Sequence, residues 1–268
     1  MAFVHSHRAA TPTATDILFA IQGDRLLARL DAGGALQLPD LKTAEAWKSN
    51  GHQSLGLLEG KICWSCSIAD ANDLPPVGWE WLETRALLSL FSPAELQAVS
   101  CARQLHWWQA RNRFCGCCGT PTIDIANERA KKWPQCNALF FPNASPAVIV
   151  AITRGDQILL AHNRNFRPGL FSLLAGFVDP GETLEQAAMR EVREEVGIEI
   201  DELRYISSQP WPFPNSLMVG FRAKHVSGEL AVDGKEIEQA GWFTRDQLPE
   251  IPRAGTVARA IIDAWLLE

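Results

Sequence analysis

The sequence predicts an α/β protein whose C-terminal part, 145–268, is a three-layer sandwich with a mixed sheet between helices. Three observations point there. Short apolar runs of strand length recur: AVIVAI at 147–152, QILLA at 157–161, LRYISS at 203–208, SLMVGFRA at 216–223 and the short GWF at 241–243. Two stretches of helical period, one opening near Thr183 and one over 255–267, alternate with them. Upstream lie a strand-rich region and a cysteine knuckle, so the chain reads as an α+β domain over 1–112, a small cysteine module over 113–144 and the sandwich over 145–268. With 268 residues, 47% of them hydrophobic, there is material for more than one core.

In chain order, residues 1 to 15 read as a flexible tail. ILFAIQ at 17–22, RLLARL at 25–30 and KICWSCSI at 61–68 read as strands, and 31–34 and 72–75 as turns between them. Cys63 and Cys66 stand three apart on one such strand and so face opposite ways, which makes them packing residues and not a shared metal site. From Trp79 to Arg113 the pattern turns helical. Ser92 as cap, Pro93 at the first helical position and Glu95 three residues past the cap start a helix from about 93 to 110.

FCGCCG at 114–119 places Cys115 and Cys118 in a glycine knuckle, half of a zinc ribbon. The second half reads Trp133-Pro-Gln-Cys136, with Trp133 where a fourth cysteine would stand. Three arrangements stay open. Zinc sits on Cys115, Cys118 and Cys136 with water or Cys117 as a fourth ligand, the ribbon is metal-free with Trp133 filling the space, or metal binds weakly. In each the role is structural.

The densest pattern is GFVDPGETLEQAAMREVREEVGI at 176–198. Thr183 and Gln186 fit a capping box, so a helix starts there. Glu191, Glu194 and Glu195 then form one acidic stripe, Ala188, Val192 and Val196 can face a core, and Gly197 suits the helix end. Carboxylates on one stripe repel unless a cation sits among them, and oxygen ligands suit Mg²⁺ or Mn²⁺, ions that also hold substrate phosphates. A bare EVREE run also describes a solvated helix face. The leading glycine and the full spacing decide for the metal site.

This stretch resembles the Nudix box, G-x5-E-x7-R-E-U-x-E-E-x-G-U with U aliphatic, and every fixed position is filled. SQPWPFPNS at 208–216 resembles the SQPWPFPxS signature of the NADH pyrophosphatase branch. With the ribbon remnant, the N-terminal domain and AGTVA at 254–258, the resemblance covers nearly the whole chain. It implies the Nudix α/β/α sandwich with mixed sheet, preceded by a zinc-ribbon-like module and an α+β N-terminal domain. It implies Mg²⁺ or Mn²⁺ on the Ala175 carbonyl, Glu191, Glu195 and Glu236, with Glu194 as base or outer ligand and with Glu182 and Arg190 bracing loop and helix. It puts base-stacking rings at Phe177 and Phe141, where the family usually has a tyrosine, and matches Arg85, Glu128 and Ala258 to substrate contacts.

In the 208–216 stretch, Pro210, Pro212 and Pro214 stiffen a loop, Trp211 and Phe213 offer flat walls for a nicotinamide or adenine ring, and Gln209, Asn215 and Ser216 can reach ribose or phosphate. The implied reaction turns NADH or NAD and water into NMN(H) and AMP, with NAD-capped RNA as a second substrate. The alternatives are a Nudix hydrolase for ADP-ribose or a dinucleoside polyphosphate, and a non-catalytic binding module. The resemblance also implies a homodimer.

The net charge is −6 and the pI near 5.6, so no basic stripe advertises nucleic acid. No apolar run approaches membrane-spanning length, and the first residues lack a signal-peptide core, so a cytoplasmic protein is expected. Seven cysteines, an odd number, do not read as a disulfide framework.

Overall fold

A computed structural model of the chain describes residues 2–6, 11–45, 52–68, 70, 72–125 and 128–268. The chain divides into two compact units, Met1–Ala144 and Ser145–Glu268.

The first unit contains β1 (Phe3–His5), β2 (Ile17–Gln22), β3 (Arg25–Leu30), β4 (Leu36–Gln37), α1 (Leu41–Glu45), β5 (Gln53–Leu58), β6 (Lys61–Ser67), β7 (Glu80–Glu83), a 3-10 turn (Thr84–Leu87), α2 (Pro93–Arg111), β8 (Ile123–Asp124), β9 (Lys131–Trp133) and β10 (Ala138–Phe140). Seven strands make one sheet in the order β1-β5-β6-β2-β3-β4, with β7 also on β3, and β2 runs parallel to β6. This sheet is covered on both faces, which is why β2 reads as an unbroken apolar run. Phe19, Ile21, Leu26 and Cys63 pack with Ala98, Ala102 and Leu105 of α2, while Leu18, Ala20, Leu27 and Cys66 pack with Leu41 and Trp64. Cys63 and Cys66 thus fall on opposite faces, as alternation requires. The last three strands form a separate small sheet, β10-β9-β8.

Two expectations are corrected here. The N-terminal stretch is not all tail: β1 pairs with β5, and Phe3 is buried in the core; residues 1 and 7–10 of that stretch lie outside the described residues. Residues 80–83 are not helical but form β7, antiparallel to β3. α2 itself starts as read, with Ser92 and Glu95 closing a capping box and Pro93 inside it.

The second unit contains β11 (Ser145–Arg154), β12 (Gln157–Asn163), β13 (Leu174–Phe177), α3 (Leu184–Val196), β14 (Glu199–Trp211), β15 (Ser216–Ser227), β16 (Ile237–Phe243) and α4 (Val257–Leu266). Its sheet runs β14-β15-β11-β12-β16, with β13 on β11. The sheet is mixed because β11 and β15 are parallel and the other pairs antiparallel. β11 is sandwiched: Val148, Val150 and Ile152 pack in the cluster of α3, and Ile149 and Ala151 in the cluster of α4. The 208–216 stretch is less of a loop than its prolines imply. Ser208–Trp211 finish β14 in register with Ser216–Val219 of β15, and only the turn between them is irregular. β14 is an edge strand, where a proline costs the ladder little.

Candidate active site

α3 is placed by its ends. The Thr183 hydroxyl accepts from the Gln186 N–H (3.2 Å) and the Gln186 side chain accepts from the Thr183 N–H (2.8 Å). Gly197 closes the helix at φ +72°, a left-handed position glycine takes without steric cost. Ala187, Ala188, Val192 and Val196 are buried against the sheet, and this fixes the helix rotation. That rotation turns Glu195 inward to 6% exposure, leaves Glu191 half-buried and leaves Glu194 exposed.

Gly176 makes room for the stripe. It sits in β13 opposite Val148, and a Cβ built on it would lie 1.9 Å from the Glu191 Cδ and 2.2 Å from both carboxylate oxygens. The Glu191 carboxylate therefore rests against bare strand backbone, one residue after the exposed Ala175.

Glu236 arrives from β16's side. The Ala231 and Asp233 N–H groups donate to the Val196 and Glu195 carbonyls at the end of α3 (both 3.0 Å). Asp233 then accepts from the N–H groups of Ile237 (2.9 Å) and Glu236 (3.2 Å). The turn carries Glu236 to where its charge is felt by both Glu191 and Glu195. Burial pushes the Glu195 carboxyl up to about 8, helped by the charges of Glu191, Glu236, Asp233 and Glu194. Glu191 is also raised, by burial first, with Arg190 pulling the other way. Asp233 joins this cluster, a residue with no expected role; its signal is the Asp-Gly turn three residues before Glu236.

Arg190 ties the frame. It donates to both Glu182 oxygens (2.6 and 2.8 Å), to Glu191 (2.8 Å), to Glu194 (3.2 Å) and to the Phe177 carbonyl (2.9 Å). Glu182 also accepts from the Asp179 N–H (3.0 Å). Paired with Arg190, its carboxyl is held down at about 2.

These features fit a hard divalent cation. The donor set is all oxygen, the carboxylates are close enough to repel, and the Glu195 Oε2 is buried with no hydrogen-bond partner. An orphan acceptor of that kind is costly without a cation or water.

The remaining expected residues are distributed as follows. Trp211 and Phe213 meet edge to face, ring centroids 5.1 Å apart. Pro210 lies in β14, Pro212 is buried and Pro214 exposed in the turn, and Asn215 and Ser216 are buried at the start of β15. The Gln209 amide is engaged at both ends, donating to the Gly255 carbonyl and accepting from the Val257 N–H (both 2.7 Å). It thereby ties the hairpin to the first turn of α4, where Ala258 is buried. Phe177 is 58% exposed. Arg85, Glu128 and Phe141 belong to the first unit: Arg85 in its 3-10 turn, Glu128 between β8 and β9, and Phe141 exposed just after β10.

In the ribbon the ligand atoms of Cys115, Cys118 and Cys136 lie within 4.8 Å of one another. Such a trio of thiols fits a soft ion, at three of the four positions a closed zinc site uses. Trp133 stacks instead on Phe140, with centroids 5.6 Å apart and planes 15° off parallel.

Comparison with known proteins agrees over most of the chain. Residues 144–265 match the NUDIX domain, 110–141 the NADH pyrophosphatase zinc ribbon domain, and 15–108 the NADH pyrophosphatase-like rudimentary NUDIX domain. The NAD-capped RNA hydrolase NudC of Stutzerimonas stutzeri strain A1501 is 42% identical over 214 residues, 80% of this chain and 77% of its own. That of Pseudomonas aeruginosa strain LESB58 is 43% identical, over 79% and 76%. That of Chromobacterium violaceum is 39% identical, over 91% and 87%. A NUDIX hydrolase crystal structure from Nitrosomonas europaea shares the fold with a TM-score of 0.50 at 24% identity, covering 58% of this chain and 91% of that one. Nudix hydrolases use divalent metals, and among the described residues no helix is long and apolar enough to cross a membrane. The chain belongs to the NADH pyrophosphatase family of Nudix hydrolases, the family that includes the bacterial NAD-capped RNA hydrolases.

Proposed function

We propose that the chain hydrolyses the pyrophosphate of NAD(H) to NMN(H) and AMP, and by the same cleavage removes an NAD cap from RNA. The observation that carries the hydrolytic reading is the buried, unpartnered Glu195 Oε2 beside a Glu191 pressed onto Gly176. The choice of NAD(H) is supported by the match to NADH pyrophosphatase domains, by relatives named NAD-capped RNA hydrolases that align with most of the chain, and by the Trp211–Phe213 pair on the hairpin.

The Ala175 carbonyl, Glu191, Glu195 and Glu236 would hold Mg²⁺ or Mn²⁺, which supplies positive charge that makes water more acidic and offsets charge gathering on the diphosphate. Glu194, exposed at the rim of the stripe, takes the proton from the attacking water. The water oxygen bonds to one phosphorus, the anhydride P–O bond opposite it breaks, and a nucleoside monophosphate leaves. Arg190 and Glu182 keep the carboxylates in place throughout.

Trp211, Phe213 and Phe177 stack on the substrate's rings, and the family resemblance assigns Phe141 to a further stacking position, without the hydroxyl a tyrosine would bring. Asn215, Ser216 and the prolines shape the hairpin, Gln209 anchors it beside Ala258, and the family resemblance assigns Arg85 and Glu128 to substrate contacts. The zinc ligands are Cys115, Cys118 and Cys136. The chain is organised as 1–112, 113–144 and 145–268 and works as a homodimer, in the cytoplasm, where its free cysteines stay reduced.

The test is a metal-dependent screen of NADH, NAD⁺, NAD-capped RNA, ADP-ribose and a dinucleoside polyphosphate in heavy-oxygen water, read by product masses. Equal NMNH and AMP from NADH, with label in one of them, is expected. Faster turnover of ADP-ribose or the dinucleoside polyphosphate would overturn the substrate, and no turnover of any would leave a binding module. Light scattering measures the oligomer.

A further inference from the structure

The hydrolytic site leaves one group of metal-ligating side chains unused, the cysteines of the ribbon. We propose that this ribbon is a three-thiolate site for a soft d10 ion of the zinc and cadmium class, whose fourth position is open to an exchangeable outside ligand such as water or a small thiol. It is not a closed four-ligand site.

The three sulfurs converge. Cys118 and Cys136 are 3.5 Å apart and Cys115 and Cys136 3.7 Å, and all three ligand atoms lie within 4.8 Å of one another. The knuckle is ordered around them: the Cys117 N–H donates to the Cys115 sulfur (3.4 Å), the Gly119 N–H to the Cys115 carbonyl (2.9 Å), and the Cys115 N–H to the Thr120 carbonyl (2.8 Å). Thiolates select soft ions.

The fourth position has no thiol to offer. Trp133 presents an indole, which donates a hydrogen bond and has no lone pair for a metal. Its ring is committed to a column, stacked on Phe140, which stacks in turn on Trp108 of α2 at 6.1 Å. Cys117 is exposed and does not belong to the converging group.

Two further features make the open position usable. Cys118 and Cys136 are exposed, so solvent reaches the site, while Cys115 is buried and anchors it. Contacts other than ligand bonds also hold the ribbon, namely the β8–β9–β10 ladder and the aromatic column. Ion and outside ligand can therefore exchange while the module stays folded. A closed structural zinc site, with four protein ligands, leaves no coordination position for an outside ligand.

The experiment uses the full chain, stripped with chelator and titrated with Cd²⁺. The thiolate-to-cadmium absorption reports the ribbon and is silent for the carboxylate site, so its outcome is independent of any hydrolysis. One equivalent should build the band, and Cys136→Ser should abolish it. Trp133→Cys should strengthen the band by about a third, one added sulfur on three. It should also slow transfer of the ion to chelator by on the order of tenfold or more, since even partners beyond the ligand shell change affinity by that much.

A second measurement does not depend on how a new cysteine packs. Adding a small thiol should shift the visible spectrum of the Co²⁺-loaded wild-type protein and return it on dialysis. Absence of a cadmium band in the wild type would mean a metal-free ribbon and overturn the proposal. A band weakened by Cys117→Ser, or a cobalt spectrum indifferent to added thiol, would mean a closed site and overturn it as well.

Discussion

In α2 the cap Ser92 is closed by Glu95, and in α3 the cap Thr183 is closed by Gln186; each helix then lays small and branched apolar residues on a mixed sheet containing one parallel pair. Each also uses an arginine to hold a neighbouring turn. Arg103 of α2 is buried and reaches Asp24 (2.5 Å), and Arg190 of α3 reaches Glu182. The helices part company in their acids. α2 carries Glu95 alone, and its side chain serves the cap. α3 carries Glu185, Glu191, Glu194 and Glu195, and the last of these is buried where it is least comfortable. The scaffold needs alternation and capping. The chemistry needs carboxylates forced together, a glycine strand to receive one of them, and a turn that brings in Glu236.

Five substitutions probe that contrast. Glu195→Gln should lower kcat by at least about a hundredfold, and the metal-free protein should melt no lower than wild type at pH 7, because the wild-type carboxyl, raised to about 8, must take up a proton on folding and the amide need not. Steady-state kinetics beside thermal melting measures both, and near-normal turnover would remove the metal-site reading of α3. Trp211→Ala removes a ring and no ligand. It should raise KM for NADH by roughly tenfold, in line with about 1–3 kcal/mol for a stacked base, and change kcat much less; an unchanged KM would rule out the hairpin as a stacking wall.

Glu182→Gln tests the brace through pH. The Glu182 carboxyl is held at about 2 against an ordinary 4.5, so it adds stability that is fully present above pH 4.5 and is lost as pH falls through 2. The variant should melt below wild type at pH 7, and the gap should narrow steadily from pH 4.5 downward; a gap independent of pH would show that the charge is not what Arg190 holds. The smallest effects come from the caps. Ser92→Ala and Thr183→Ala should each cost about 1 kcal/mol of stability, but only the second should slow turnover, because only α3 carries the carboxylates. Equal effects on kcat would erase the distinction between the helices.

What was legible in the sequence was mostly local. The α3 caps, the acidic stripe and Gly197 act within a few residues of one another, and the structure places them as spacing dictates. Two of the strands missed have partners far away. β7 looked helical because its pairing with β3 lies more than fifty residues upstream, and β1 looked like tail because β5 supplies its ladder. In the 208–216 hairpin, proline suggested a loop, yet an edge strand tolerates Pro210 since one ladder side is unpaired. At the site, Glu236 was reachable through the family resemblance, whereas Asp233 needed the main-chain bonds that dock its turn on the end of α3.

Gly176 sets a limit on how this enzyme can be altered. Every other residue begins with a Cβ, and here that atom would coincide with the Glu191 carboxylate. No change of side chain at this position can be traded gradually against a gain elsewhere, because the first atom added already displaces Glu191. Shifts in substrate preference must therefore be written at the rim, on the hairpin or at the exposed Phe177 next door, while the strand position beneath the carboxylate has a single admissible letter.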